Sequence, residues 1–537
     1  MNKATESEAD YIVVGAGAAG CVVAARLSED ARKRVILIEA GGSDRNPLIA
    51  IPGANVVTGT DPALNWNFET EPEPALDGRR LYMSQGRVMG GSASINGMMF
   101  LRGRAVDFDG WRADGCPGWG ASDVAPWFRK LEDHPYGQDP QHGSGGPMRI
   151  SRGAATAPIC DLFLEAAEAS GIARVEDFVQ AGHEAAGYAD LSIDQGRRVS
   201  TATAYLGRAR SRPNLRVITK AHVTRIVIEG KRAVGVALRR GANEEIFRCN
   251  AEVIVAGGAI NSPALLLRSG IGDPSALSGV DVVHDLPGVG RNYQNHPMYK
   301  MMFTTNAPLT AYSHARPLGA IRAGLSYITG RRGVLASGLF PVAGYFDAVP
   351  GQPETLLQIC MAPALIIRRK PGVLGVLPKQ HGFSVLLYQG VPFSRGRVRL
   401  KSDDPMAAPA IEAGVFSDAR DLEILAQGAL RIRAIMDAPP IRDVIGAEIA
   451  PGPIADSLEA IKSDISANIS ANYHVAGTCR MGLGRDAVVD TRLRVHGLDG
   501  LRVIDASIMP TVVRANTYAT TVMIAERGAA FIAEDAR

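Results

Sequence analysis

One histidine stands apart in the sequence as a candidate for acid–base chemistry. His474 lies in the stretch SANYHVAGTCRMG, residues 470–482, with no acidic or basic side chain as a close sequence neighbour. An imidazole, with an unperturbed pKa of about 6.5, can take up or release a proton near neutral pH. A single histidine in a mixed apolar and polar stretch is, however, more often a hydrogen-bonded core residue than a catalyst. Its role therefore depends on what the rest of the chain builds around it.

A glycine-rich turn near the N-terminus predicts a nucleotide site. The stretch YIVVGAGAAG, residues 11–20, ends an apolar strand, and an apolar helical pattern and a second apolar strand, RVILIEA, follow it. In such a βαβ unit Gly15 permits the tight turn, Gly17 lets the backbone approach a pyrophosphate, and Gly20 lets helix and strand pack closely. Glu39 closes the second strand, where a carboxylate can bind ribose hydroxyls. An acid at this position disfavours NADP but does not distinguish NAD from FAD.

Two further glycine-rich stretches bear on the choice of cofactor. GRVMGGSASINGMMFLRGRAVDFD, residues 86–109, packs small residues together, so that bare backbone can lie against a flat or phosphorylated ligand. EVIVAGGAINSPALLLRSGIG, residues 252–272, has the pattern of a strand, a Gly-Gly turn and a helix that stops at Gly270. Together they resemble the two signature motifs of the glucose-methanol-choline (GMC) family of flavin oxidoreductases. The first departs from the family pattern at Met89 and Ala93, and neither departure removes a needed chemical group.

The resemblance extends along nearly the whole chain. It includes LPGVGRNYQNH at 286–296, SRGRVRLKSDDP at 394–405 and VHGLDGLRVIDASIMPTVVRANTYATTVMIAERGA at 495–529. It implies FAD as the cofactor, bound by Gly15, Gly17, Ala18, Ala19, Gly20, Glu39, Ala40, Arg87, Gly90, Gly91, Ser94, Asn96, Gly97, Val223, Asp505, Ala506, Asn516 and Thr517. Some members link the flavin covalently through a histidine that precedes the residue matched by Asn96. Here Ile95 stands at that place and has no nucleophile, so the FAD is expected to be non-covalent.

The resemblance also assigns catalytic roles to His474 and Asn516. In the family a histidine in a stretch of this kind stands over the flavin ring, and a second residue, His or Asn, lies beside it. Oxidation of an alcohol requires removal of the hydroxyl proton and transfer of the α-hydrogen as a hydride to flavin N5. His474 is therefore expected to be the base, and Asn516 to donate a hydrogen bond to the substrate oxygen. A helix is predicted to begin at Asn516 or Thr517, where its N-terminus would face the negative charge of a reduced flavin.

The cofactor motifs are dispersed along the chain and must converge on one flavin. The predicted FAD-binding domain is therefore discontinuous and comprises residues 1–155, 200–305 and 473–537. The intervening residues 156–199 and 306–472 are predicted to form the substrate-binding domain, where FSVLLYQG and RVRLKSD alternate like strands of an antiparallel sheet over the flavin. The predicted fold class is α/β, with a Rossmann-like FAD-binding domain and an α+β substrate domain that has a mostly antiparallel sheet.

Composition disfavours several other classes of protein and site. The 537 residues, 46% hydrophobic, carry a net charge of only +3, which gives no reason to expect a nucleic-acid partner. Six dispersed cysteines form no CxxC pair, so no metal site is predicted and a reducing, cytoplasmic setting is expected. The N-terminus lacks a signal-peptide pattern, and no apolar run approaches the ~20 residues of a transmembrane helix. His134, His142, His222 and His381 show no ligand spacing and are interpreted as structural or surface residues.

The implied activity is oxidation of a primary alcohol to the aldehyde, with electrons passed to O2 or a quinone-type acceptor. Small aromatic, heterocyclic or aliphatic alcohols are expected; choline is disfavoured, because a quaternary ammonium needs an aromatic or acidic cage and none is evident. The alternatives are a hydroxynitrile lyase-like protein and a non-catalytic flavoprotein of the same fold. Tyr473 is a candidate pocket residue. The basic and apolar segment 362–383 is a candidate for a solvated loop, a lid or a peripheral contact with a membrane surface.

Overall fold

Two sheets, each with its own buried core, make up the framework of the protein. The computed structural model describes residues 7–154, 156–277, 279–366, 380–453 and 455–536. The predicted fold class is confirmed: one sheet is largely parallel and flanked by helices, and the other is mostly antiparallel.

The first sheet is built from apolar runs that are buried on both faces. Its strands, in spatial order, are Leu215–Ile218, Val35–Ile38, Glu8–Val14, Asn243–Val255, Arg232–Arg240 and His222–Glu229, with Leu501–Val503 also paired to Asn243–Val255. Arg232–Arg240 pairs antiparallel with both of its neighbours, His222–Glu229 and Asn243–Val255, and the remaining pairings are parallel. Parallel strands covered on both faces have near-continuous apolar sequences, as YIVV and VILI do here. Gly15 and Glu39 follow two of these strands, so both lie at the carboxyl edge, where open α/β sheets bind ligands.

The second sheet supplies the opposite wall of the site. Its strands, in spatial order, are Ile445–Ala450, Pro297–Thr305, Gly382–Gln389, Leu356–Ala362, Val342–Asp347, Ala185–Tyr188 and Ala173–Arg174, with Ser470–Ala471 also paired to Pro297–Thr305. The pairings are antiparallel except for the short one between Ala173–Arg174 and Ala185–Tyr188. The predicted strand FSVLLYQG lies near the centre of this sheet.

Two strands lie elsewhere than the sequence patterns predicted. Pro297–Thr305 falls within the expected FAD-binding segment 200–305, but it pairs in the second sheet, so the chain crosses between the sheets near residue 296. The stretch RVRLKSD forms a strand, Arg397–Arg399, that pairs only with Ala410–Glu412, away from the second sheet. Alternation of apolar and polar residues shows that one face of a strand is buried, but it does not identify the sheet to which the strand belongs.

Helices cover the faces of both sheets. Those of nine residues or more are Ala18–Leu27, Ala105–Ala113, Ala121–Leu131, Ile159–Ala169, Gly258–Arg268, Pro317–Gly330, Ala419–Met436, Leu458–Asn468 and Thr517–Asp535. The first and last of these pack against each other in the first core. Glu526, which is fully buried on the last helix, forms a bidentate ion pair with Arg26 on the first helix.

Candidate active site

A cavity of about 1020 Å³ is lined by residues of both sheets. It is as large as the largest ordinary ligand pockets, which span about 300–1,000 Å³, so a dinucleotide and a small second molecule have room in it. The predicted site residues that line it are Gly15, Gly17, Ala18, Ala19, Glu39, Ala40, Gly91, Asn96, Gly97, Val223, His474, Asp505, Ala506, Asn516 and Thr517. The structure therefore gathers residues from the whole length of the chain around one space.

The N-terminal βαβ unit forms one part of the cavity wall. Gly15 has a φ of +99°, and a Cβ there would lie 2.5 Å from the carbonyl oxygen of Ala256, so only glycine fits. A Cβ on Gly20 would lie 1.8 Å from the carbonyl oxygen of Gly15, which is the close packing of helix on strand expected at this position. A Cβ on Gly17 would meet only the carbonyl oxygen of Ala256, at 3.9 Å. Bare backbone at Gly17 therefore leaves this part of the cavity open to a ligand.

Glu39 provides a buried carboxylate in the same part of the cavity. Its two oxygens accept hydrogen bonds from the backbone N–H groups of Ala16, at 2.9 Å, and Gly41, at 2.7 Å. Burial raises the pKa of Glu39 to about 7. The two backbone bonds fix the orientation of the carboxylate, and each oxygen retains a lone pair for a hydroxyl donor. The position and chemistry match the expected ribose contact.

The second glycine-rich stretch lies directly against the first. Gly91 has a φ of +53°, and a Cβ there would lie 2.8 Å from the Cα of Gly17. Asn96 lines the cavity, and its side-chain oxygen accepts hydrogen bonds from the Met98 N–H, at 3.0 Å, and from Arg198, at 2.7 Å. Arg198 is buried and was not identified from the sequence. It holds Asn96 in place at the cavity wall.

Gly20, Arg87, Gly90 and Ser94, which were also predicted to contact the cofactor, are not among the residues that line the cavity. The buried Ser94 hydroxyl donates to a backbone carbonyl 2.6 Å away. Gly90 has a φ of +87°, and a Cβ there would lie 2.2 Å from the Ser94 hydroxyl. The Arg87 guanidinium lies over the ring of Trp66, 4.8 Å from its centroid. A steric requirement for glycine does not by itself show that a position contacts a ligand.

His474 and Asn516 meet at the cavity although 42 residues separate them in the chain. The side-chain nitrogen of Asn516 lies 3.1 Å from His474 Nε2. The backbone N–H of His474 donates to the side chain of Asn295 at 2.8 Å, which anchors the loop after the strand Ser470–Ala471. Burial, with a further contribution from the neighbouring His296, holds the pKa of His474 well below its usual value. The imidazole is therefore neutral at neutral pH and able to accept a proton.

The hydrogen bonds around His474 determine which of its nitrogens carries the proton. Nε2 of the buried His296 lies 2.9 Å from the carbonyl oxygen of Gly390, which can only accept, so His296 carries its proton on Nε2. Burial lowers the pKa of His296 to about 4, so this ring is neutral and its Nδ1 is an acceptor. His474 Nδ1 lies 2.9 Å from that atom and must donate to it. The lone pair of His474 is then on Nε2, at the cavity.

Two other contacts bear on this assignment. The amide nitrogen of Asn472 lies 3.3 Å from His474 Nδ1 and by itself would favour the opposite tautomer. The contact with His296 is shorter and is supported by a carbonyl, so it decides the assignment. Gln358, which is buried, donates to the side-chain oxygen of Asn516 at 3.1 Å and so turns the Asn516 nitrogen towards His474 Nε2. An N–H donor at that distance again requires a lone pair on Nε2.

Sequence reasoning missed His296 and Gln358. His296 ends the stretch LPGVGRNYQNH, which contributed to the family resemblance but received no role of its own. Gln358 lies within the apolar strand Leu356–Ala362, where a lone amide is the only signal. A polar side chain in a fully buried strand needs a hydrogen-bond partner, and that need could have marked Gln358 as a candidate.

Comparisons with known proteins identify the family. The family model described as GMC oxidoreductase matches residues 9–298, and its C-terminal counterpart matches residues 392–525. The chain belongs to the GMC oxidoreductase family. It is 38% identical to the mitochondrial choline dehydrogenase of Mus musculus, over 98% of this chain and 90% of that protein. It is 38% identical to an alcohol dehydrogenase [acceptor] of Pseudomonas putida, over 97% and 95% of the two chains. Pyridoxine 4-oxidase from Mesorbium loti is a structural neighbour, with 30% identity, a TM-score of 0.87 and coverage of 97% and 98%.

GMC oxidoreductases use FAD and oxidise CH–OH donors. The residues of this chain fit that cofactor. Gly17 and Gly91 form a cradle without side chains, and the helices Ala18–Leu27 and Thr517–Asp535 begin at the cavity, where their free N–H groups favour negative charge.

The helix predicted after Asn516 is present and spans Thr517–Asp535. Asn516 is its N-cap residue, but its side chain makes no capping hydrogen bond and is turned instead towards His474 and Gln358. The backbone N–H groups of the first helical turn are therefore available at the cavity. This arrangement is compatible with the expected interaction between the helix N-terminus and a negatively charged ring.

The wall contributed by the second sheet is mainly apolar in the parts of the chain that the structure describes, and it includes Lys300. Met298, Lys300 and Met302 are alternate residues of one strand, and Tyr388 lies on the next. Lys300 Nζ donates to the carbonyl of Ile366. Asp464, the acidic residue that the second domain contributes to the described cavity wall, already accepts hydrogen bonds from Tyr299 and Asn468.

Several other candidates can now be placed. Tyr473 lines the cavity, and its ring packs edge-on against Tyr82. His222 also lines the cavity, whereas the stacked rings of His134 and His142 lie in a buried polar cluster. Across the described ranges, no group of His, Cys, Asp and Glu has the arrangement of a metal site, and no helix is long and apolar enough to cross a membrane. Most of the segment 362–383 lies outside the described residues.

Proposed function

We propose that the chain oxidises a primary alcohol to the aldehyde, with FAD bound non-covalently in the cavity and His474 as the base. The observation that carries this proposal is the chain of hydrogen bonds Gly390–His296–His474–Asn516–Gln358, which leaves the lone pair of His474 at the cavity wall. A histidine held neutral and in one tautomer beside an amide donor is suited to remove a hydroxyl proton.

The protein residues have separate tasks in this reaction. When the alcohol binds, the Asn516 N–H that donates to His474 Nε2 in the free protein donates to the alcohol oxygen instead and orients it. The alcohol hydroxyl then takes its place as the donor to His474 Nε2. As the proton moves to Nε2, the imidazolium continues to donate from Nδ1 to His296, which stabilises the new charge. When bound, FAD supplies the acceptor for the hydride, at N5.

Gly15, Gly17, Ala18, Ala19, Glu39, Ala40, Gly91, Asn96, Gly97, Val223, Asp505, Ala506, Asn516 and Thr517 are proposed to contact the cofactor, since each lines the cavity. Ile95 also lines it and offers no nucleophile, which supports non-covalent attachment. The buried Cys360 lines the cavity as well, but burial raises the pKa of its thiol to about 12, so it is not a reactive thiolate at neutral pH.

The substrate is proposed to be a small aromatic, heterocyclic or aliphatic alcohol. Met298, Met302 and Tyr388 offer an apolar surface, which suits a neutral alcohol better than the cation choline. Choline is the competing candidate because the chain resembles choline dehydrogenases along nearly its full length. The electron acceptor is O2 or a quinone-type carrier, and the proposed location is the cytoplasm, which fits six free and buried cysteines.

Anaerobic reduction of the flavin tests the proposal. The purified holoprotein is mixed with benzyl alcohol, pyridoxine, 1-butanol or choline, and the flavin absorbance near ~450 nm is followed before air is admitted. We expect bleaching with a neutral alcohol and weaker bleaching with choline. Rapid recovery in air would identify O2 as the acceptor, and slow recovery would indicate a quinone-type carrier.

Variants at the two catalytic residues complete this test. His474→Ala should slow flavin reduction by about 10²–10⁴-fold and leave FAD bound, and Asn516→Ala should slow it less. Equal reduction by wild type and His474→Ala would show that His474 is not the base. Failure of all alcohols to bleach the wild-type flavin would favour the lyase-like or non-catalytic alternative.

A further inference from the structure

The helix Pro317–Gly330 carries a continuous apolar stripe on its exposed side. Leu318, Ile321, Leu325 and Ile328 are 75%, 60%, 57% and 80% exposed, and Leu318 and Ile328 are the most exposed large apolar side chains in the described parts of the chain. At about 100° per residue, the four side chains occupy an arc of only about 80°. Scattered exposed apolar residues are common on protein surfaces, but four on one stripe form a patch that calls for a partner.

The opposite side of this helix contacts the protein through Ala323 and Tyr327. Ala323 is its one buried residue, and the Tyr327 hydroxyl donates to the carbonyl of Gly196 at 3.1 Å. The large aliphatic residues therefore point away from the core, in the reverse of the usual arrangement for a surface helix. Such an arrangement costs stability in water unless the stripe is covered in the functional state.

The charge around the stripe is positive. Arg322 is exposed beside it, Arg316 precedes the helix, and Arg331 and Arg332 follow it, all of them exposed. The sequence contains no Asp or Glu anywhere in residues 286–346. An apolar stripe with arginines on its flank and at both ends has the chemistry of a helix that lies in an anionic lipid surface, where the long arginine side chains reach the headgroups.

The helix that carries this stripe is connected through two turns to residues of the cavity wall. The helix contacts the turn Val334–Ala336, which packs against the turn Pro52–Ala54. The two turns are in close contact, since a Cβ on Gly53 would lie 2.9 Å from the Cα of Leu335. Gly53 lines the cavity, and so do Leu339 and Phe340, which follow the second turn in the chain. A surface that binds this helix would therefore also lie next to the cavity.

We propose that the helix Pro317–Gly330 docks the protein on an anionic phospholipid surface, with Leu318, Ile321, Leu325 and Ile328 inserted among the acyl chains. A second copy of the chain is the less suitable occupant, because a two-fold interface would place one arginine-bearing patch against another. Docking would bring the cavity to a membrane, from which an apolar alcohol or a quinone-type acceptor could reach it. The proposal concerns a surface and does not depend on the catalytic assignment.

Co-sedimentation of the holoprotein with lipid vesicles tests this proposal. Vesicles of phosphatidylcholine alone are compared with mixed vesicles of phosphatidylcholine and phosphatidylglycerol, at low and high salt. We expect binding to the mixed vesicles that weakens at high salt and is at least about tenfold weaker without phosphatidylglycerol. No binding of the wild-type protein to either kind of vesicle would overturn the proposal.

Variants locate the binding surface. Leu318→Gln, Ile321→Gln, Leu325→Gln and Ile328→Gln together should reduce binding to the mixed vesicles by at least about tenfold, because the apolar contact is lost. The control combines Ile246→Gln, Val282→Gln and Val283→Gln, which alter exposed aliphatic residues elsewhere and should leave binding unchanged. Flavin content and circular dichroism of both variants verify that the fold is retained. Equal vesicle binding by the helix variant and the wild type would refute the proposal.

The oligomeric state distinguishes a second copy from a lipid surface. Wild-type protein and the helix variant are compared by analytical ultracentrifugation without lipid. The proposal expects the two to have the same mass. A wild-type dimer that the helix variant dissociates, together with absence of vesicle binding, would assign the stripe to a second copy and overturn the proposal.

Discussion

The chemistry of the site depends on the tautomer of a single imidazole. His474 has polar partners at both ring nitrogens, and each partner is in turn fixed by another group. The carbonyl of Gly390 fixes His296, and Gln358 fixes Asn516. Both arms of this chain place the lone pair of His474 on Nε2. A histidine with only one partner could rotate or exchange its proton between nitrogens, and would act as a base for part of the time only.

The depressed pKa of His474 predicts the pH dependence of the reaction. Because burial and His296 hold that pKa well below about 6.5, the imidazole stays neutral, and active as a base, down to pH values at which a solvent-exposed histidine is already charged. We expect kcat/KM to be level from about pH 6.5 upward through neutrality and to fall only at more acidic pH. Steady-state kinetics across pH with one alcohol measures this. An acidic limb centred at or above about 6.5 would contradict the assignment.

His296 is predicted to act as a positioning residue through His474. His296→Leu removes the acceptor for Nδ1–H and should lower kcat by about 10²-fold, with little change in KM or FAD content. His296→Gln offers an acceptor to His474 and a donor to the carbonyl of Gly390, so it should retain more activity and a pH profile closer to wild type. A purely structural role for His296 would instead predict that both variants lose FAD and stability together, without a difference in pH profile.

The sequence predicted the residues that line the cavity better than the residues that position those side chains. Resemblance located His474 and Asn516, because both lie in stretches typical of the family. His296 lies 178 residues from His474, and the two meet only because the strand Pro297–Thr305 pairs with Ser470–Ala471. No local pattern encodes that pairing. Arg198, which holds Asn96, was missed for the same reason: its importance comes from burial, which the sequence alone does not show.

At the scale of elements, two helices with free N-termini at the cavity are tied together by a buried ion pair. Arg26, near the end of Ala18–Leu27, forms hydrogen bonds of 2.7–3.0 Å with both carboxylate oxygens of Glu526. The Tyr205 hydroxyl donates to the same carboxylate at 2.7 Å, and Lys130 lies 3.2 Å from it. These contacts fix the packing of the two helices, and thereby the separation of their N-termini at the cavity.

Removal of Arg26 is predicted to destabilise this helix pair. Arg26→Met leaves the fully buried Glu526 with Tyr205 and Lys130 alone and should lower the free energy of unfolding by about 3 kcal/mol. Urea denaturation followed by circular dichroism measures the change. The double variant Arg26→Met, Glu526→Leu should recover part of the loss, because no unpaired charge remains buried. A double variant that is less stable than Arg26→Met would show that the pair contributes through the carboxylate's other contacts.

The elements of the fold differed in how well the sequence predicted which sheet they join. The βαβ unit was predictable because strand, glycine turn and helix are consecutive and pair locally. Pro297–Thr305 was not predicted as a strand, and its partner Gly382–Gln389 lies far along the chain. A strand was predicted in RVRLKSD, but Arg397–Arg399 pairs with the nearby strand Ala410–Glu412 and not with the second sheet. Arg397 and Arg399 both pair with Glu412, so the alternation in RVRLKSD reflects a charged surface hairpin. Alternating apolar and polar residues indicate that one face of a strand is buried, but they do not identify the neighbouring strand.

At the scale of the whole molecule, the cavity lies where the two cores meet. Gly15, Glu39 and Asn516 come from the first sheet and its helices, and Met298 and Tyr388 from the second. The chain passes between the sheets several times, so neither core is a continuous segment. A ligand that fills the cavity contacts both cores and should therefore couple their stabilities.

Removal of FAD is accordingly predicted to destabilise the entire protein and not one core alone. With free FAD at about 100 times its Kd, binding stabilises the folded state by about 2.7 kcal/mol, which should raise Tm by about 2–5 °C. Thermal unfolding of the apoprotein, followed by circular dichroism with increasing FAD, measures the shift. Acid precipitation of the holoprotein should leave the yellow colour in the supernatant, because Ile95 provides no point of covalent attachment. Colour retained in the precipitate would contradict non-covalent binding, and a Tm independent of FAD would contradict a cofactor that bridges the two cores.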